Sequence, residues 1–459
     1  MPGKFGQSLI DLSNFLWGTP LLILLFSGGL FFFISSGLKP LRYVGHALAI
    51  LKGKFDKEDE PGQISHYQAL STALAGTVGM GNISGVALAI IMGGPGTIFW
   101  MWISALLGML TKYFTCTLAV MFRGYDSKGE LQGGPMYYIV EGLGKNWKPL
   151  AVFFSLVAMI GVSPMFQANQ LTQAFVDIVL VPNGVRESII LRFTIGIIIT
   201  IIVALVVFGG IKRIAKVAGS LVPLMVVIYI ISVLSILILN SSEIIPSFKL
   251  IIHDAFTARS VMGGALGSLI IMGFRRAAFS NEAGIGTAPM AHGAAKTKEP
   301  VREGLVAMLG PFIDTIIVCT MTALAIIITG VWIDSSEEGI SLTSKAFEVG
   351  IPYIGKYILI SCVSIFALTT LFAFPYYGTK AFSYVFGAEY GNIYKYLYVA
   401  SISLGAVSSL DVVISIFDSA YALMAFPTML SAILLSPHVV RETKKYFNKY
   451  EKGDFNLKK

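Results

Sequence analysis

The chain has 459 residues, 55% hydrophobic and only 13% charged, with a mean hydropathy of +0.75. Soluble domains carry about 25% charged residues, so an ordinary soluble domain is excluded and a polytopic membrane protein is indicated. The net charge of +8 implies no nucleic-acid partner, because the positions of the basic residues account for it.

A helix needs about 20 apolar residues to cross the hydrocarbon. On that scale eleven spans are expected, near 15–37, 67–92, 95–122, 150–180, 189–209, 214–240, 261–291, 304–331, 354–382, 394–410 and 412–436. The first run, Phe15 to Ser36, is too long for a signal h-region and lacks a basic flank, so it reads as a retained helix. Eleven spans put the termini on opposite sides. With the N-terminus outside, 24 Lys and Arg fall in cytoplasmic segments and seven in outer ones. That bias predicts N-out, C-in. The basic tail, 437–459, then reads as a solvated cytoplasmic end near anionic lipid. "QGGPMYYIVEGLG", within 123–149, reads as an amphipathic helix on the membrane surface, with a re-entrant piece as the alternative. The three cysteines sit in apolar runs and imply no disulfide, and the five histidines are dispersed, so no metal cluster is expected.

The second span poses the main question. "ALAGTVGMGNISGVALAIIMGGPG", Ala73 to Gly96, holds seven glycines, four of them between Gly76 and Gly85. Irregular backbone inside a bilayer is tolerated only where it is buried in protein or lines a cavity. Transporters use such breaks to present free N–H and C=O groups to substrate and ion. A second weakened segment runs from Gly263 to Pro289, interrupted at Gly273 and again in "NEAGIG". Setting the first span aside, these are the first and sixth of ten. Two five-helix repeats would place them so, at about 66–240 and 260–436, the second inverted because five is odd; 1–65 is then an N-terminal helix and linker. Helix packing through Gly81-x-x-x-Gly85 is the competing reading.

"GTVGMGNISGVALAIIMGGPGTIFWMW", "FSNEAGIGTAPMAHGAA" and "YYGTKAFSYVFG" closely resemble the alanine or glycine:cation symporter family over nearly the whole chain. The resemblance implies an all-α, leucine-transporter-like fold, and import of alanine, and often glycine, into prokaryotic cells with sodium. It implies no cofactor beyond the coupling ion and no obligate protein partner.

Its site can be carried over residue by residue. The unwound first core helix would offer an amino acid carboxylate the N–H groups of Thr77, Gly79 and Gly81, with the Thr77 hydroxyl as an extra donor. Asn82 would brace the break. Sodium would take the carbonyls of Ala75, Val78 and Phe366 and the hydroxyls of Thr369 and Thr370, a neutral oxygen cage suited to a hard cation. Adjacent threonines also bond back to their own helix.

The third core helix carries Gln167, Asn169, Gln170 and Gln173, amides that should face the interior. Gln170 lies four residues after Phe166, on the same face. Gln170 is expected to bond substrate and Phe166 to close the pocket, with interhelical bonding as the alternative for any one amide. On the sixth, the backbone at Met272 and Gly273 would accept the ammonium and Phe274 would wall the side-chain pocket. Asn281 and Glu282 would brace the second half-helix, with Arg275 or Arg276. Phe374 stands where the family commonly has tryptophan, and Asp314 is an intramembrane acid suited to a structural or inner-gate role.

An enzyme would need a converging catalytic constellation and a channel would need filter elements; neither is visible. The serious alternative is proton coupling through Asp314 or Glu282.

Overall fold

The computed structural model describes residues 4–56, 59–256, 265–333, 335, 337 and 339–453. Long apolar runs must satisfy their backbone within themselves, and nearly all of them are helical. The N-terminal span is two stacked helices, α1 (Lys4–Leu16) and α2 (Thr19–Ser35), and the linker carries α3 (Lys39–Arg42) and α4 (Val44–Leu51). α5 (His66–Thr77) starts on a Ser65–Gln68 capping box. A π turn, Gly81–Gly85, leads into α6 (Val86–Gly93), bent by 55° from α5. α7 (Thr97–Met121), a short hairpin of β1 (Gly124–Tyr125) and β2 (Leu131–Gln132), and α8 (Pro135–Leu143) follow. Next come α9 (Lys148–Gly161), α10 (Met165–Phe175), α11 (Ile189–Val207), α12 (Gly210–Leu239) and α13 (Ile244–Ala255). The second half holds α14 (Ala265–Asn281), α15 (Thr287–His292), α16 (Pro300–Ala307), α17 (Thr320–Ile328), α18 (Gly339–Gly350), α19 (Gly355–Phe386), α20 (Gly391–Val407) and α21 (Leu410–Glu451).

Among the described residues eight helices are long and apolar enough to span a bilayer, or nine if the bent pair counts as one. The expected eleven are not reached. Part of 261–291 lies outside the described residues, and the rest divides into α14 and α15. α20 has 17 residues, about 26 Å at 1.5 Å per residue, at the lower limit for a spanning helix.

Two further expectations are corrected. The tail is not a free solvated end as far as Glu451. It continues α21 and buries Tyr446 and Phe447 against the linker, where Phe447 stacks on Tyr43 at 4.2 Å and Tyr446 bonds His46 at 2.7 Å. α8 is not an exposed helix. Pro135 to Ile139 are buried, and the helix packs on α9 and α21.

Candidate functional site

The first break is made of small residues held by one amide. Val78 leaves the helix at φ −75°, ψ 93°, its N–H still bonded to the Leu74 carbonyl. The Gly79 N–H donates to Asn82 Oδ1 at 2.9 Å. Asn82 Nδ2 in turn donates to Asp314 Oδ1 at 2.7 Å and to Ser280 Oγ at 3.0 Å. Asp314 Oδ2 accepts from Ser280 and Thr315 at 2.7 and 2.8 Å. Thr322 donates to the Asn82 carbonyl at 2.8 Å. The turn is thereby tied to α14, α17 and the π segment Phe312–Cys319. The Gly79 N–H, expected to face substrate, is occupied by Asn82. Gly81 packs on α14: a Cβ there would lie 3.2 Å from the Phe279 ring.

α19 runs antiparallel to α5. Tyr377 OH donates to the Thr72 carbonyl at 3.2 Å. A Cβ on Gly76 would meet Tyr377 and Phe374 at 3.3 and 3.4 Å, and one on Gly79 would meet Thr370 Oγ1 at 2.9 Å. Ala75, Val78, Phe366, Thr369 and Thr370 are all fully buried. Thr369 and Thr370 donate to the Phe366 carbonyl at 2.9 and 3.1 Å, and Thr369 also reaches Met225 Sδ at 3.6 Å. Of the two, Thr370 is the one whose hydroxyl stands beside the break. Phe374 faces Gly76 across the same seam.

Two polar atoms here have no partner. Thr77 Oγ1 and Gln167 Oε1 are buried and unbonded, and the Gln167 amide lies within 3.8 Å of where a Gly79 Cβ would be. Orphaned buried polar atoms are rare and call for an explanation. Beyond the π turn is a cavity of about 220 Å³ lined by Ser84, Phe166, Gln170, Gln173, Arg276, Phe279 and neighbours. Phe166 meets Phe279 edge-on at 5.4 Å. Gln170 bonds Asn169 at 3.3 Å and lies 3.5 Å from Ser84 Oγ. Asn169 serves as interhelical glue, donating to the Ser408 carbonyl at 2.7 Å.

The sixth core helix corrects the sequence reading. α14 is helical through Met272, Gly273 and Phe274, so their backbone is not freed. Gly273 permits close approach: a Cβ would stand 2.6 Å from Trp100 Cβ. Met272 lies beside Gly93, near the far end of α6. Phe274 packs with Leu22 and Leu107 and meets Phe26 at 5.3 Å. The break falls later, at Glu282 (φ 53°), Gly284 (87°) and Gly286 (107°). There Glu282 accepts from Tyr421 OH at 2.5 Å and from Thr287. Asn281 caps the turn through the Ala283 N–H at 3.0 Å and donates to Thr315 at 3.0 Å. Neither arginine reaches Glu282; Arg275 pairs with Asp418 at 2.7 Å.

Sequence reasoning missed Ser84, Phe279 and Ser280. The first stands two residues past Asn82 in the quoted motif, and the other two end α14 just before "NEAG"; only the π turn and the late break reveal their direction. It also missed a histidine pair. His66 and His292 each place Nδ1 on Glu303, the latter at 2.5 Å, because α5 begins and α15 ends beside α16.

Comparison with known proteins completes the site's context. A family model described as "Sodium:alanine symporter family" matches residues 4–459. The chain belongs to the sodium:alanine symporter family. It is 40% identical over 456 residues to the sodium/alanine symporter AgcS of Methanococcus maripaludis, covering 97% of this chain and 98% of that one. It is 32% identical to the putative sodium/proton-dependent alanine carrier protein YrbD of Bacillus subtilis, covering 96% and 93%. The crystal structure of MhsT in complex with L-phenylalanine superposes with a TM-score of 0.59 over 82% of this chain and 89% of that one, at 13% identity. This likeness shows the leucine-transporter-like fold. The protein is a multi-pass membrane transporter of this family and not an enzyme.

Proposed function

We propose that the chain imports alanine, and also glycine, together with sodium by alternating access around the first break. The observation that carries this reading is the pair of unpartnered atoms, Thr77 Oγ1 and Gln167 Oε1, flanking Gly79. Sodium takes the Ala75, Val78 and Phe366 carbonyls and the hydroxyls of Thr370 and Thr369; binding there orders the turn. The carboxylate of the amino acid sits in the break, between the Thr77 hydroxyl at the end of α5 and the N–H of Gly81, where the positive end of the second half-helix favours an anion. The ammonium faces the negative end of α14, near Phe279 and Ser280, in place of Met272 and Gly273. Gln170 and Phe166 close the pocket from the 220 Å³ cavity, which is the outer entry. The bundle, formed of inverted repeats at 66–240 and 260–436, then rocks to release both solutes inward, with the N-terminus outside and the C-terminus cytoplasmic.

Proton coupling would run through Asp314 or Glu282. Against it, both oxygens of each acid are engaged by side chains that brace the two breaks, which favours a structural role for them. Thr370→Ala should raise the sodium concentration for half-maximal uptake about fivefold, the worth of one hydrogen bond of ~1 kcal/mol. Thr369→Ala should raise it less, since its hydroxyl already leans on Met225. Sodium titrations of uptake that leave both variants at the wild-type midpoint would remove this site.

A further inference from the structure

On the opposite side of the first break from the 220 Å³ cavity, two main-chain segments are bonded together. The Gln63 and Ile64 N–H groups donate to the Ala294 carbonyl at 2.8 and 3.3 Å, Lys296 N–H to the Ile64 carbonyl at 2.7 Å, and Thr297 N–H to the Pro61 carbonyl at 3.2 Å. Ile64 and Ala295 form a parallel bridge. Glycine allows this approach: Gly62 is at φ +140°, and a Cβ on it would stand 2.7 Å from Lys296 Cα. A Cβ on Gly293 would likewise meet Gly133 Cα at 2.7 Å. One segment leads into α5 and the other leaves α15, so the seam joins the ends of the two half-helices remote from their breaks, which would have to separate for an inward exit.

Two basic side chains fasten it, Arg123 half-buried and Lys380 buried. Arg123, two residues past α7, donates Nε to the Gly293 carbonyl at 2.9 Å, Nη1 to the Pro61 and Thr297 carbonyls at 3.2 and 3.0 Å, and Nη2 to the Ala295 carbonyl. Lys380 of α19 donates Nζ to the Met290 and Gly133 carbonyls at 2.9 and 3.1 Å. A guanidinium presents five N–H donors in a fixed fork, which one ammonium could not spread over four carbonyls. Burial lowers the Arg123 pKa to about 10, which keeps the group charged at neutral pH. A cavity of about 260 Å³ adjoins the seam, lined by Gln63, Tyr376, Thr379 and Lys380 among others. Its Tyr376 OH and Thr379 Oγ1 are buried without partners, so a polar route stands ready beside the closed seam.

We propose that Arg123, assisted by Lys380, clamps the cytoplasmic gate: it holds 61–65 to 293–297 while the site faces outward and releases them for solute exit. This rests on the alternating-access reading above. Carbonyls suit a reversible clamp, because charge-assisted bonds to carboxylates are stronger and would hold the gate shut.

The test uses Ile64→Cys, a position only 2% exposed in the closed seam, labelled by a membrane-impermeant maleimide from the cytoplasmic face of vesicles. The parent chain, whose three cysteines are buried, sets the background. Labelling should be slow in sodium and faster in potassium. Adding Arg123→Gln should raise the rate in sodium at least tenfold, and Arg123→Lys should raise it by less. Gly62→Ala, which wedges the seam without touching a charge, should also raise it; thermal melts identify any variant that is merely unfolded. Wild-type rates in sodium for folded Arg123→Lys and Arg123→Gln, with the sodium-to-potassium change intact, would overturn the clamp and leave the transport reading standing. Equal labelling of Ile64→Cys in both ions would overturn both.

Discussion

The two broken helices differ in what they leave unsatisfied. At the first, Asn82 and Asp314 hold the turn, yet Thr77 Oγ1 and Gln167 Oε1 remain without partners beside a glycine that admits the Thr370 hydroxyl. At the second, Glu282 accepts from Tyr421 and Thr287, Asn281 from the Ala283 N–H, and Ser280 donates to Asp314. Buried polar groups without partners cost about 1–3 kcal/mol each. A chain that keeps two such groups at one break and pairs those at the other fits the proposed division of tasks, in which the first break offers free polar groups to solute and the second is the more firmly braced.

The sharpest way to break that distinction is Gly79→Ala. Its Cβ would stand 2.9 Å from Thr370 Oγ1, wedging α5 from α19 at the proposed ion site. Alanine uptake should fall about 100-fold, equivalent to ~2.7 kcal/mol, with the melting temperature changed by only a few degrees. Unchanged uptake would remove the first break from the solute path.

At the second break the expected pattern reverses. Glu282→Gln puts a neutral amide where Tyr421 and Thr287 donate, and should destabilise the protein by about 1–3 kcal/mol in thermal melts. The sodium midpoint of uptake should stay within about twofold, below the worth of one hydrogen bond. A larger shift in sodium affinity than in stability would assign Glu282 to coupling.

Gly273→Ala has the smallest effect on transport and tests the relocation of the second break. The added methyl would press on Trp100 Cβ at 2.6 Å, an overpacking cost of about 1–3 kcal/mol. Alanine affinity, measured by competition at saturating sodium, should not change. A tenfold loss of affinity would return Met272–Phe274 to the pocket.

These contrasts also show what the sequence made legible. The existence and placement of the first break could be read because four glycines fall between Gly76 and Gly85 and a second weakened span recurs five spans later. The amides around Gln170 could be read because bare amides are costly there. Gly273 misled, since close helix packing and interruption both call for the same residue; only the neighbour, Trp100, distinguishes them. The span count is unsettled at α20, whose 17 residues sit at the lower limit of a spanning helix. The Arg123 seam was invisible because its acceptors are backbone carbonyls, which carry no residue signature. His66 lies 237 residues before Glu303 and joins it and His292 only through the fold.

The central claim is that the first break couples alanine to sodium. The most direct test is labelled-alanine uptake into proteoliposomes of the purified full chain under an inward sodium gradient, with potassium and proton gradients as the comparisons. The account predicts accumulation with sodium alone and its collapse when a sodium ionophore is added. Accumulation driven by a proton gradient in the absence of sodium would contradict it and move coupling to Asp314 or Glu282.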